Sequence, residues 1–142
     1  MLTPEAVHSP APEIHQFFSG HETALPLYLA VEACLLSAFP DTRTVVRKTQ
    51  ISFSVRRMYA CVSLARVRRK AELPDPYLTL TLAMPYPVSS GRVAARTEAY
   101  PGRWTTHFVL AAPDDLDAEI KDWIREAYAF ADRPETHRIG TH

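Results

Sequence analysis

Glycine, cysteine and clustered histidine are what this sequence has least of. Its four glycines form no GxGxxG and no GxxxxGK[ST], which excludes a glycine-rich phosphate cradle. The two cysteines, Cys34 and Cys61, make no CxxC pair. In a chain large enough to have a core, two such thiols read as buried and reduced. The six histidines contain no HxxxH and no HExxH. A zinc site is therefore not expected, and no metal or cofactor is implied.

Net charge is absent as well. Lysine plus arginine total 16 and aspartate plus glutamate total 16. That balance is unlike a protein that coats nucleic acid, where affinity comes mainly from cations meeting phosphates. Long hydrophobic runs are missing too: the longest, residues 25–39, is interrupted by Glu32 and is too short for a bilayer. Residues 1–16 carry acids and prolines without an apolar stretch, so they do not read as a signal peptide. The expectation is a soluble cytoplasmic chain with no membrane partner.

What is present is periodicity. The length of 142 residues suits one domain, with residues 1–9 as a flexible leader, 10–132 as the domain and 133–142 as a flexible tail. Ser9-Pro10 suits a helix start and Gly20 a stop. Ala24, Leu27, Val31, Leu35 and Ala38 recur at three- and four-residue steps, predicting an amphipathic helix over 22–39. From Arg43 to Leu110 the period becomes two. Ile51, Phe53 and Val55, then Ala60, Val62 and Leu64, then Leu78, Leu80 and Leu82 alternate with their neighbours as strands do. Pro101-Gly102 suits a type II turn between strands over 94–99 and 104–110. Short links imply antiparallel pairing. Leu116, Ile120, Ile124, Ala127 and Ala131 mark one face of a helix that begins at Asp114, with Asp117 completing an approximate capping box. The predicted class is α+β: an antiparallel sheet of about five strands, with an N-terminal and a C-terminal helix packed on one face.

Parity then assigns the opposite face. It receives Lys48, Gln50, Ser52, Ser54, Tyr59, Cys61, Ser63, Thr79, Thr81 and His107. Such a face is either the wet side of a half-solvated sheet or a surface that receives an anion, a base or a peptide. Residues 46–70 hold half of all lysines and arginines and no acid. Arg56 and Arg57 fall at a hairpin turn, and Arg66, Arg68, Arg69 and Lys70 in a loop, where charge ordinarily serves solvation. Lys48 reads as mid-strand, an unfavourable place for lysine, and so as an edge guard or a ligand contact.

Other chemistries are poorly supplied. Glu119 and Lys121 mimic a nuclease pair, but two residues apart on a helix they diverge. Cys61 with His107 is a conceivable nucleophile pair, although nothing in the sequence orients the histidine. Trp104 and Trp123 read as core.

Four stretches, FFSGH (17–21), KTQISF (48–53), PGRWTTHFVL (101–110) and WIREAYAFA (123–131), resemble in order the bacterial domain-of-unknown-function 5655 family. The resemblance spans residues 14–131. It implies a small α+β domain, found alone or appended to larger proteins, some of restriction or nuclease type and some labelled as predicted transport. No established activity comes with it. Lys48, Gln50, Trp104 and His107 match positions that recur in that family, and Thr106 stands where a second histidine often does.

The favoured expectation is a non-enzymatic binding or interaction module. Lys48, Gln50 and His107, with Arg96 or Arg103 nearby, would receive a small anionic ligand such as a phosphate or carboxylate. Three alternatives stay open. One is a hydrolase or transferase with His107 as general base, helped by Cys61 or Ser52. Another is a homodimer formed through the sheet face or edge. The last is a nucleic-acid-associated domain using the loop arginines, in which only Tyr59 and Tyr77 could stack on bases.

Overall fold

A computed structural model describes residues 11–134. The flexible leader over 1–9, the Ser9-Pro10 helix start and most of the tail over 133–142 lie outside those residues. Proline starts both early helices. α1 (Pro12–Phe17) and α2 (Leu25–Ala38) each carry proline in the first two positions, where the missing N–H has no intrahelical partner to lose. Between them Gly20 adopts φ 83°, a left-handed turn that favours glycine. Its N–H donates to the Glu22 carboxylate at 3.0 Å, which holds that carboxyl below its usual range. A 3-10 turn over Glu22–Ala24 leads directly into α2.

The sheet has six strands rather than five. They are β1 (Arg43–Val46), β2 (Ile51–Ser54), β3 (Met58–Ser63), β4 (Leu78–Met84), β5 (Val93–Tyr100) and β6 (Arg103–Leu110). Their order is β1-β2-β3-β4-β6-β5, and every neighbouring pair is antiparallel. The additional strand is β1, a short edge strand whose residues are mostly exposed. Its presence moves Lys48. Residues 47–50 are a turn, closed by the Arg47 N–H donating to the Gln50 carbonyl at 2.8 Å, so Lys48 is an exposed turn residue and not a mid-strand one. At the other hairpin Gly102 adopts φ 82° after Pro101, the conformation a type II turn requires.

Both long helices cover one face of the sheet. α2 buries Leu27, Tyr28, Val31 and Leu35, and Tyr28 stacks on Phe53 with ring centroids 6.5 Å apart. α3 (Ala118–Ala131) buries Ile120, Ile124, Ala127 and Ala131, packs over β3 and β4 and stacks Trp123 on Phe108. Its N-cap is Asp117, whose carboxylate accepts from the Ile120 N–H at 3.1 Å. The expected start at Asp114 is instead part of a 3-10 turn over Pro113–Asp115. The C-terminal end is capped from far away in sequence. Arg57 donates to the carbonyls of Phe130 and Arg133 at 3.1 and 3.0 Å, and Arg56 donates to the carbonyl of Asp132 at 2.8 Å. Two of the clustered cations thus serve the negative end of a helix, a structural task.

Candidate functional site: a polar row across the sheet

Register decides which side chains of the helix-free face meet. Ser52 pairs with Cys61, Cys61 with Thr81, Thr81 with His107, and His107 with Ala95. Residues directly opposite on antiparallel strands project to the same side, so these five form one row across β2, β3, β4, β6 and β5. Hydrogen bonds run along it. Gln50, in the turn before β2, donates through Nε2 to Ser52 Oγ at 3.1 Å and accepts from the Cys61 thiol at Oε1 at 3.7 Å. Thr81 hydroxyl pairs both with the Cys61 sulfur and, at 2.8 Å, with His107 Nδ1. Met58 closes the Gln50 end, its sulfur accepting from Nε2 at 3.8 Å.

The row is dry at its centre. Ser52, Cys61 and Thr81 are only 5, 5 and 7% exposed, while His107 is partly open. Burial acts on both titratable groups. It pushes the Cys61 thiol up, with the Thr81 hydrogen bond and the nearby Arg103 charge pulling the other way, and it lowers the His107 imidazole. Both groups are held neutral at neutral pH. Cys61 and His107 stand two strands apart, on the order of 10 Å by strand spacing, with Thr81 between them. A direct thiol–imidazole nucleophile pair is therefore not formed. Both cysteines are free thiols.

The residues singled out from sequence separate into groups. His107 and Arg103 share the parity of β6 and face the row, and the Arg103 guanidinium acts on Cys61. Among the described residues Arg103 has no acidic partner; its planar group lies 5.8 Å from the Tyr100 ring. Gln50 is at the far end with both ends of its amide engaged. Lys48 is elsewhere, lining a recess of about 320 Å³ with Glu13, Gln16, Phe17, Val46 and Arg47. Arg96 pairs with Thr106, on the opposite face from His107, and donates to the Val88 carbonyl at 2.7 Å. Tyr59 also leaves the polar face. A bulge between β2 and β3 changes its parity, and its ring packs edge-on against Phe39 and Tyr128, with its hydroxyl 2.8 Å from Thr42 Oγ1. That removes one of the two rings available for base stacking, and Tyr77 ties its hydroxyl to the Leu64 carbonyl. Thr79 and Ser63 hold the start of the following loop: the Thr79 hydroxyl donates to the Ala65 carbonyl at 2.8 Å, and Ser63 Oγ accepts from the Ala65 N–H at 3.3 Å.

A family model described as a domain of unknown function, DUF5655, matches residues 14–131. The chain belongs to that family. The matched span begins within α1, ends on the last residue of α3 and contains the whole sheet. No curated protein matches the chain, and no solved structure does. Among the described residues there is no cluster of potential metal ligands, and no helix is long and apolar enough to cross a membrane.

Sequence reasoning placed Thr81 on the polar face but not in the site. Its contacts on both sides depend on register, which a single sequence does not reveal.

Proposed function

We propose that this chain is a cytoplasmic, non-enzymatic binding module that takes a small anionic group, a phosphate or a carboxylate, on its polar sheet face. The observation that carries the reading is the Arg103 guanidinium, which has no carboxylate partner among the described residues and is set beside a neutral hydrogen-bonded row. A cation without a carboxylate among the described residues, facing buried hydroxyls and a neutral imidazole, favours an incoming anion over a cation. His107 presents Nε2 to the ligand because Thr81 occupies Nδ1. Gln50 and Ser52 keep the row in order from the other end and do not contact the anion.

Titration with inorganic phosphate and with acetate, read by thermal shift and calorimetry, tests the proposal. The wild-type chain should gain stability, Arg103→Ala should lose the gain, and Lys48→Ala should keep it, since Lys48 lines a separate recess. An Arg103→Ala protein that responds like wild type would falsify the assignment.

One observation favours a second reading, His107 as general base. The imidazole is neutral and fixed at Nδ1, the state a base needs. In that case Thr81→Val would lower turnover of a hydrolysable ester or phosphoester and change its pH profile, whereas the binding module shows no turnover to begin with.

A further inference from the structure

The sheet has two open edges with contrasting charge patterns. β1 carries Arg43, and Arg47 and Lys48 follow it in the turn, without an acid among them. A second copy laid antiparallel along β1 about Val45 would set Arg43 against Arg47, which repels. β5 is the reverse case. Residues 94–100 read AARTEAY, and about Thr97 this stretch complements itself. Arg96 would meet Glu98, Ala95 would meet Ala99, and Ala94 would meet Tyr100.

The edge is also open. Residues 96–100 are all exposed, Tyr100 by 55%, and α3 lies over β3 and β4, away from β5. Between the register shifts at its two ends, β5 is regular from Ala95 to Glu98, the segment centred on the complementary charges. Neither charge is fully used among the described residues. Arg96 spends one N–H on the Val88 carbonyl, and Glu98 spends Oε2 on the Gly102 N–H at 3.2 Å, so each keeps donors or an oxygen for a partner.

We propose that two copies of this chain associate through antiparallel pairing of β5 about Thr97, joining their six-stranded sheets into one. The two-fold arrangement makes each Arg96–Glu98 contact twice and satisfies the open N–H and C=O groups of both edges. It leaves β1 free, guarded by its like charges. Because Ala95 ends the polar row, the dimer also sets the two rows on one continuous face.

Sedimentation velocity of the full chain over a range of concentrations tests this. The wild type should dimerise reversibly. Arg96→Glu or Glu98→Arg alone should weaken the dimer on the order of tenfold, because each places like charges opposite one another twice. The double variant, Arg96→Glu with Glu98→Arg, should recover it, since the swap restores both pairs. Thr97→Pro, checked for folding by circular dichroism, should be monomeric, and Arg43→Glu should leave the dimer intact. A wild type that is monomeric at every concentration, a double variant no tighter than the singles, or a dimer that survives Thr97→Pro overturns the proposal.

Discussion

Thr106 and His107, adjacent on β6, face opposite sides and carry opposite lessons. Thr106 is fully buried on the helix side, and its Oγ1 has no partner among the described residues. A buried hydroxyl without a hydrogen bond costs free energy that a methyl group does not. Thr106→Val should therefore stabilise the protein by about 1 kcal/mol, within the range for unsatisfied buried groups, read as a higher urea midpoint at an unchanged slope. His107 acts through pH. Its folded pKa lies below the usual imidazole value of 6.5 because burial disfavours the cation. Above that value both folded and unfolded states are neutral and the group contributes nothing. As pH falls below 6.5 the unfolded chain takes the proton first, and stability is lost until the folded pKa is passed. Denaturation at pH 7.5 and pH 5 should show this loss in wild type and a smaller one in His107→Gln. Parity made the facing of His107 legible in the sequence. Tyr59 defeated the same rule because one extra residue in β3 reverses it, and bulges leave little trace in a single sequence.

Among the elements, the amphipathic helices were the most legible, because a buried stripe repeats over several turns. The limits of α2 and α3 moved by only a few residues, through a 3-10 turn before each. β1 was not recovered as a separate strand. At four residues, on an edge and mostly exposed, it has no alternation to display. The polar row was legible as a set of residues but not as a set of neighbours, since strand order and register set who touches whom. β4 shows what burial on both sides means: all seven of its residues are buried, Leu78, Leu80, Leu82 and Met84 against the helices and Thr79, Thr81 and Ala83 on the other face. Leu80→Ala should cost about 2–5 kcal/mol, far more than a change in exposed β1 such as Val45→Ala, with both measured by chemical denaturation. Loss of the α3 cap offers a subtler check. Arg57→Ala removes donors from the Phe130 and Arg133 carbonyls and should speed amide exchange in the last turn of α3 before it changes global stability.

For the whole molecule, the basic cluster that dominates the sequence divides into parts with separate tasks. Arg56 and Arg57 close a helix, Arg47 and Lys48 border a recess by α1, and Arg69 pairs with Glu72 at 3.2 Å. The charge that faces the polar row comes from Arg103, outside that cluster and separated from it in sequence by two strands.

The strand order also bears on synthesis. β6 lies between β4 and β5, so a chain emerging from the ribosome completes β4 well before the strand that will sit beside it. Until residue 110 has left the exit tunnel, one flank of the most apolar strand has no neighbour. That half-built sheet, ending at Met84, carries an unpaired apolar edge of the kind that favours aggregation while it is exposed.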